Sequence, residues 1–414
     1  MGKKRAVITG LGIVAPNGIG LEPFWEANTG GRSGIGTITR FDASDYDFRI
    51  AGEVREFNPS RYMPAATVKR TDAFVHYGVA AARMALDDSG LDLSVEDRAS
   101  IGVILGSGLG GIAFHEEQMI AAYDKGVRRI NPLSVPRVSP NAVAGHIAIQ
   151  FGLWGPNVVI SAACASGALA VGEAFRKIQS GELETCLCGG VEAPLTRFTY
   201  GSYAALGVMS RRNDAPQEAS RPFDKERDGF VMAEGGAMLV IEELGRAVRR
   251  SAHIYAEIAG YAAGSGAYHM VMPQPDGKDA ARVMWGAIRD SGLRPENIGY
   301  INAHGTSTSV NDLVETLAIK EVFGERAHRV PISSTKSMIG HTIGAAGAIE
   351  ALVTAMVLDR GIIPPTINYR CKDPNCDLDY VPNESRCARV EAALSNSFGF
   401  GSCNACLVLT KERV

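Results

Sequence analysis

The chain has 414 residues, of which 46% are hydrophobic and 21% are charged, and its 42 Lys and Arg residues face 45 Asp and Glu residues. The net charge of −3 does not indicate the basic surface of a nucleic-acid-binding protein. No apolar run approaches the roughly 18 residues of a membrane-spanning helix. The length allows a large buried core and two or three domains.

Apolar, β-branched runs alternate with helical patterns along the whole chain. The apolar runs predict strands over residues 5–14, 100–106, 156–161, 185–191, 236–242, 255–260, 298–303, 330–334, 392–396 and 404–410. The helical patterns predict helices over residues 72–90, 113–124, 139–151, 166–180, 278–292, 311–323 and 344–359. This alternation indicates an α/β protein whose helices cover central sheets.

Two segments, residues 158–178 and residues 331–358, share one plan. Each is a strand followed by a turn of small residues and a helix rich in Ala and Gly. Small side chains are expected where two helices pack closely. We therefore predict two duplicated halves, residues 1–252 and 253–414, with both central helices buried.

A glycine-rich stretch, residues 106–111, follows a predicted strand and satisfies the G-x-G-x-x-G pattern. A dinucleotide-binding unit needs a second strand after the helix that follows this pattern. Here that helix leads to residues 128–132, which predict a loop. We therefore predict no nicotinamide cofactor.

The eight cysteines give little sign of a metal or redox centre. Cys403 and Cys406 have the spacing of a redox motif, but they lie in a strand-like run, where alternate residues face opposite sides. Cys371, Cys376 and Cys387 lack a second, closely spaced pair. With no secretory signal in a long chain, we expect reduced thiols and a cytoplasmic protein.

Cys164 stands apart from the other cysteines. An apolar run over residues 157–160 precedes it, and small residues and a helical pattern follow it. The pattern predicts a strand, a tight turn and a helix with the thiol at its start, although buried cysteines are commonly inert. A helix N-terminus carries roughly half a positive charge and lowers a thiol pKa. We therefore expect a nucleophilic thiolate that forms without a dedicated base.

Two histidines far downstream, His304 and His341, each follow a strand-like run and lie in a turn rich in Gly, Ser and Thr. Functional residues concentrate at such strand ends, because the scaffold is rigid and the turn admits a ligand. Each histidine alone is compatible with a structural role. Together with Cys164 and Lys336 they favour a thiol-dependent active site.

The motifs around these residues resemble those of elongating type II β-ketoacyl-[acyl carrier protein] synthases in the thiolase-like superfamily. The matching stretches keep the family's order within residues 5–409 and read AACASG at 162–167, SRPFDKERDG at 220–229, HGTST at 304–308, KSMIGH at 336–341 and NSFGFG at 396–401. The resemblance implies a five-layer αβαβα fold built from two duplicated halves.

The resemblance also implies a reaction, the decarboxylative condensation of malonyl-carrier protein with an acyl group held on Cys164. His304 and His341 are implied as donors to the enolate oxygen. The backbone N–H groups of Cys164 and Phe400 are implied for the tetrahedral oxyanion, with Phe400 also acting as a gate.

The supporting residues are implied by the same resemblance. Lys336 holds the charge balance and orients the histidines, with Glu350 as its buried partner. Thr306 and Thr308 hold the pantetheine arm. The remaining candidates belong to the acyl pocket, with Leu109 gating its depth: Leu109, Phe198, Tyr203 and Phe398.

The partners expected from the resemblance are an acyl carrier protein and a second subunit. A local basic patch is predicted to dock the acidic carrier protein at Lys69, Arg70, Arg128 and Arg129. The strand over residues 157–161 is predicted to pair across a twofold axis in a homodimer or in a heterodimer with a chain-length-factor subunit. No cofactor, metal ion or nucleic acid is expected.

Several departures from the family pattern leave the pathway open. Val271 stands where fatty-acid members usually carry Thr, Ser402 and Cys403 replace Gly-Thr, and residues 309–312 replace a Pro-containing turn. Fatty-acid elongation and a type II polyketide or polyene pathway therefore both stay candidates. A non-catalytic scaffold subunit that only binds carrier protein would lack the nucleophile, and Cys164 is present.

Overall fold

The structure is a computed structural model and describes residues 3–412. Its strands are β1 (Ala6–Ala15), β2 (Gly18–Ile19), β3 (Ile35–Thr37), β4 (Ile50–Gly52), β5 (Ile101–Gly106), β6 (Asn157–Ile160), β7 (Thr185–Glu192), β8 (Gly235–Glu243), β9 (Ala256–Ser265), β10 (Tyr300–Asn302), β11 (Ile332–Ser333), β12 (Ile362–Ile363), β13 (Arg386–Cys387), β14 (Ala392–Gly399) and β15 (Cys403–Thr410). Its helices are α1 (Leu21–Thr29), α2 (Ala65–Arg70), α3 (Ala73–Ser89), α4 (Ile112–Lys125), α5 (Ser134–Val138), α6 (Ala142–Phe151), α7 (Ser166–Ser180), α8 (Arg197–Ala205), α9 (Leu244–Arg249), α10 (Lys278–Asp290), α11 (Ser309–Phe323), α12 (Lys336–Ile339) and α13 (Ala346–Arg360).

Two mixed sheets share one strand order. The first runs β6-β5-β7-β8-β1 and the second β11-β10-β14-β15-β9. Each sheet has five main strands. When these five are numbered in chain order, they lie side by side in the order third, second, fourth, fifth and first. Antiparallel pairing of β1 with β9, where Ala6 faces Ile258, joins the two sheets edge to edge. The internal repeat predicted from the sequence is therefore a structural duplication.

The central helices α7 and α13 pack against each other and against both sheets, while α3 and α6 cover the first sheet and α10 covers the second. The result is the predicted α/β fold with five layers. Glycines allow the central contact: a Cβ at Gly167 would lie 2.8 Å from the backbone nitrogen of Ala348, and one at Gly347 would lie 2.6 Å from that of Ala168. The small residues read from the sequence therefore do allow close helix packing.

All ten predicted strands and all seven predicted helices are present, with shifts of a few residues at their ends. The largest shift is at β9, which continues to Ser265 instead of residue 260, and α6 begins three residues late, at Ala142, because α5 and Pro140 occupy the preceding residues. The sequence patterns do not predict the short helices α1, α2, α5, α8, α9 and α12 or the short strands β2, β3, β4, β12 and β13.

The predicted boundary between the halves, at 252/253, falls between α9 and β9 and stays a prediction. The terminal residues of the two halves, 1–2 and 413–414, lie outside the described residues. Within residues 3–412, no helix is long and apolar enough to cross a membrane.

Candidate active site

Cys164 lies in a single 3₁₀ turn, Ala163–Ala165, between the end of β6 and the start of α7. Ala163 has a φ of 47°, which is unusual for a residue with a side chain and is found mainly where surrounding structure enforces it. The turn is covered closely by Gly399 at the end of β14, where a Cβ would lie 3.2 Å from the backbone nitrogen of Cys164. Strand, turn and helix therefore follow the order that the sequence predicts.

Burial opposes the thiolate that the sequence predicts at the start of the helix. Cys164 is 5% exposed, and burial raises the pKa of its thiol to about 12. The positive charge of Lys336 and the backbone N–H of Phe400 lower this pKa, but they do not overcome desolvation. Burial of the ligand-free site therefore favours the thiol form, whose proton has to leave during the reaction.

Lys336 is buried and bonded on three sides. Its ammonium donates to the backbone oxygen of His304 at 2.7 Å and forms an ion pair with Glu350. It also lies 3.3 Å from Nδ1 of His304. An ammonium can only donate, so we assign Nδ1 of His304 as an acceptor and Nε2 as the protonated nitrogen.

His341 has the same tautomer for a different reason. The backbone N–H of Ile343 donates to its Nδ1 at 3.3 Å, which leaves the proton on Nε2. The rings of His304 and His341 lie 5.4 Å apart and nearly perpendicular. Burial, followed by the charge of Lys336, lowers the pKa of both imidazoles well below the usual value, so both are neutral N–H donors.

Glu315 on α11 fixes the backbone of the first histidine. Its carboxylate accepts from the N–H of His304 at 2.9 Å, from the N–H of Gly305 at 2.8 Å and from the side chain of Asn396 at 3.0 Å. The sequence analysis missed this residue. Its signal was a carboxylate on the helix that directly follows the His304 turn.

One cavity of about 250 Å³ brings most of the predicted residues together. The sequence-predicted residues that line it are Cys164, His304, His341, Phe400, Thr306, Thr308, Tyr203 and Phe398. The hydroxyl oxygens of Thr306 and Thr308 lie 2.9 Å apart on one wall. The rings of Tyr203 and Phe400 stack with centroids 6.2 Å apart. Phe230, which the sequence did not single out, lies edge-on to His341.

Two predicted pocket residues are not in this cavity. Phe198 is 69% exposed on α8, so its assignment to the pocket wall is corrected for the single chain. The physical reason is helical spacing, because Tyr200 two positions on is the residue of α8 that is fully buried. Leu109 is half-buried and outside the cavity lining.

A buried carboxylate holds the loop that contains Leu109. Glu192, at the end of β7, accepts from the backbone N–H groups of Gly108, Leu109 and Gly344 at 2.6, 3.1 and 3.1 Å. Burial raises the pKa of Glu192 to about 7 against the effect of these bonds. The glycine-rich stretch is thus bound to an internal carboxylate that joins the two halves.

The four predicted docking residues, Lys69, Arg70, Arg128 and Arg129, are all exposed. They lie at the end of α2 and in the 3₁₀ turn after α4. Among residues 3–412 none of the four forms an ion pair with a carboxylate. Their charges are therefore available to a partner.

A buried thiol, two neutral imidazole N–H donors and a backbone N–H meet in one cavity of a duplicated α/β fold. This arrangement is suited to acyl transfer through a covalent thioester, with stabilisation of a developing oxyanion or enolate.

Comparison with known proteins assigns the family. The N-terminal domain of the β-ketoacyl synthases matches residues 3–247, and the C-terminal domain matches residues 255–370. A curated relative from Synechocystis, 3-oxoacyl-[acyl-carrier-protein] synthase 2, is 47% identical over 99% of this chain and 98% of its own length. The chain belongs to the β-ketoacyl synthase family, whose members are acyltransferases.

Two solved structures have the same fold. One is a type II polyketide ketosynthase in complex with its acyl-carrier protein and bound to a hexaketide, with a TM-score of 0.91, 36% identity and coverage of 99% of this chain and 100% of that chain. The other is the ishigamide ketosynthase/chain length factor, with a TM-score of 0.92, 34% identity and the same coverage. The thiolase-like fold predicted from the motifs is therefore confirmed.

Proposed function

We propose that this chain elongates acyl chains by condensing malonyl-carrier protein with an acyl group bound to Cys164, as in fatty-acid synthesis. The observation that carries the proposal is the pair of neutral Nε2–H donors, set by Lys336 and by the N–H of Ile343, in the cavity that holds the thiol. The curated relative with 47% identity supports the same reaction. No step of it requires a metal ion, nucleotide or flavin.

The first half-reaction acylates the thiol. The sulfur of Cys164 attacks the carbonyl carbon of an acyl thioester, the pantetheine sulfur leaves, and the thiol proton is transferred to that leaving group. We place the negative oxygen of the tetrahedral intermediate at the backbone N–H groups of Cys164 and Phe400, and the contact of the Phe400 N–H with the sulfur supports this placement.

The second half-reaction forms the carbon–carbon bond. Malonyl thioester loses carbon dioxide, and the electron pair of the broken bond forms an enolate. Its oxygen accepts from Nε2–H of His304 and His341, and its carbon attacks the acyl carbon and expels the sulfur of Cys164, which takes up a proton from solvent to restore the thiol. Lys336 and Glu350 act as positioning residues, because they fix the tautomer of His304 without being placed against the reacting atoms.

The substrate is delivered on a carrier protein. We place its pantetheine arm along Thr306 and Thr308, whose hydroxyls line the cavity. We place its acidic surface on Lys69, Arg70, Arg128 and Arg129, which are exposed and unpaired among the described residues. The encounter should weaken with added salt.

The working unit is proposed to be a twofold dimer through β6. This strand is an edge strand of its sheet, and Val158 on it is 43% exposed. Unpaired strand edges are covered in most proteins, and an antiparallel match with a second copy would do this. Large apolar side chains are also exposed between α4 and β6 in the chain, at Tyr123, Val127, Val135, Ile149 and Trp154. We propose a cytoplasmic location from the eight free thiols.

A second candidate is the ketosynthase subunit of a type II polyketide or polyene pathway, paired with a chain-length factor. One solved relative described above is a type II polyketide ketosynthase and the other is a ketosynthase/chain length factor, which favours this candidate. Light scattering separates the two: a stable, active homodimer supports fatty-acid elongation, and an inactive or insoluble lone chain supports the heterodimer.

The central test is intact-protein mass spectrometry after incubation with acyl-carrier proteins of different acyl chains. One thioester on Cys164, followed by product release when malonyl-carrier protein is added, supports the proposal. Saturated acyl groups retained in preference to polyketide or polyene groups would assign the pathway to fatty acids. Binding of carrier protein without any acyl transfer would indicate a scaffold subunit and would contradict the proposal.

A further inference from the structure

The carboxylate of Glu192 binds two separate backbone turns beneath the active site. Its Oε2 accepts from the N–H of Gly108, in the loop after β5, at 2.6 Å and from the N–H of Gly344, in the turn before α13, at 3.1 Å. Its Oε1 accepts from the N–H of Leu109 and the hydroxyl of Ser107, both at 3.1 Å. Glu192 is fully buried and is not among the residues of the described chain, 3–412, that line the cavity. It therefore does not contact a substrate in the cavity directly.

The two turns meet closely at this carboxylate. A Cβ at Gly344 would clash with Oε2 of Glu192 and would lie 2.6 Å from the backbone nitrogen of Gly108. Bonds from backbone N–H groups to an anion are roughly twice as strong as bonds between neutral groups. Four such donors offset the cost of burying the charge. Glu192 therefore fixes the peptide of Gly344 against the loop after β5.

The peptide that Glu192 holds adjoins the bond that orients the second histidine. The N–H of Ile343 donates to Nδ1 of His341 at 3.3 Å, which leaves the proton of the ring on Nε2. Ile343 has a φ of 48°, a conformation that is costly for a β-branched residue. Such a residue keeps this conformation only where its surroundings enforce it. The bond from the next N–H, that of Gly344, to Glu192 is one such constraint.

We propose that Glu192 is a positioning residue for His341. By holding the N–H of Gly344 it keeps Ile343 in place, so that Nδ1 of the histidine stays bonded and Nε2–H stays available to the enolate. This inference rests on the proposed function. It assigns a buried carboxylate outside the cavity to the malonyl half-reaction.

The charge of Glu192 acts on the thiol in the opposite sense, which separates positioning from general loosening of the site. The negative charge raises the pKa of Cys164, so its removal favours the thiolate. A variant without the charge should therefore acylate Cys164 as fast as the wild type or faster. The same variant should condense more slowly, because the donor at His341 is misaligned.

The test measures two rates separately in Glu192→Gln and Glu192→Ala at about pH 8, where most wild-type Glu192 is ionised because its pKa is about 7. The first rate is the formation of a butanoyl thioester on Cys164 from butanoyl-carrier protein. The second is the single-turnover condensation of the isolated acyl-enzyme with malonyl-carrier protein. At saturating malonyl-carrier protein, the second rate should fall about 3- to 10-fold for Gln, which keeps one acceptor oxygen, and about 10- to 100-fold for Ala. The first rate should not fall.

The matched controls are Glu53→Gln and Glu53→Ala. Glu53 is equally buried and accepts from the N–H groups of Thr39 and Arg40 at 2.6 and 2.9 Å and from the hydroxyl of Thr39 at 2.8 Å. These variants should leave the ratio of the two rates unchanged, even where they lower stability. In nitrogen NMR spectra of histidine-labelled protein, the Nδ1 signal of His341, identified by its loss in His341→Ala, should shift in both Glu192 variants and in neither control.

Equal losses in both rates, an unchanged condensation rate or an unchanged His341 signal would overturn the inference. It would also be overturned if both Glu192 variants failed to fold as judged by circular dichroism. A loss seen with octanoyl but not with butanoyl groups would instead assign the effect to the loop of Leu109 and would likewise overturn it. A wild-type protein that forms neither thioester nor condensation product would contradict the proposed function itself, so the two failures are distinguishable.

Discussion

The two turns that precede the central helices α7 and α13 have nearly the same backbone conformation but carry different residues. Ala163 and Ile343 have φ values of 47° and 48°, and each begins the single turn before its helix. The next residue is Cys164 in the first turn and Gly344 in the second. A Cβ at Gly344 would clash with the carboxylate of Glu192, so the second turn has no room for a thiol.

The same comparison shows which of the two turns is preceded by a histidine donor. His341 lies two residues before Ile343, and Ser161 holds the corresponding place before Ala163. Duplication of the fold therefore supplied two equivalent backbone frames, while the chemistry is divided between them. One half supplies the nucleophile and the other supplies the donors that stabilise negative charge.

The largest expected effect is on the turn that carries the thiol. Replacing Cys164 by Ala should reduce condensation by more than about 1,000-fold, because no covalent intermediate can form. Intact-protein mass spectrometry should detect no acyl adduct. The control Cys387→Ser removes an exposed thiol and should keep full activity. An acyl group found on the Cys164→Ala variant would refute the assignment of the nucleophile.

The next effect concerns the histidines of the second half. His304→Ala and His341→Ala should each lower the condensation rate by about 100- to 1,000-fold, since each removes a donor to the enolate. Acylation of Cys164 should persist in both variants. The comparison uses His253→Ala, a half-exposed histidine outside the cavity, as the unaffected control. Loss of acylation in both active-site variants would mean that a histidine acts as the base for the thiol.

The protonation state of Cys164 is open to a direct measurement. Its pKa of about 12 means that the thiolate fraction in the free enzyme rises as pH rises through the whole neutral range. Alkylation by iodoacetamide should therefore accelerate roughly tenfold for each pH unit between 6 and 9. A small free thiol, whose pKa is about 8.5, should level off near the top of that range. An alkylation rate of Cys164 that levels off near neutral pH would instead indicate a thiolate stabilised by the helix.

The smallest effect tests whether the halves are equivalent in packing. Gly167→Ala and Gly347→Ala should each lower the free energy of unfolding by about 1–3 kcal/mol, because each added methyl meets backbone of the opposite helix. Urea denaturation measures both. Gly145→Ala in α6 has no atom within 4 Å of its new methyl and should be neutral or stabilising. A cost confined to one of the two central helices would show that their packing is not equivalent.

The sequence by itself determined the order of strands and helices, because the periods of apolar side chains are local properties of the chain. It also identified Cys164, His304, His341 and Lys336, since each follows an apolar run and lies in a turn of small residues. Cys164, His304 and His341 line one cavity, and Lys336 is bonded to His304 behind it, although all four are far apart in the chain.

Features that depend on contacts between distant residues follow only from the tertiary structure. Burial raises the pKa of Cys164, and burial depends on which strands cover the turn. Phe198 lies outside the cavity because it is on the face of α8 that points away from the core. Glu315 reaches the site from α11 through bonds to His304, Gly305 and Asn396, so its role depends on packing that no local pattern contains.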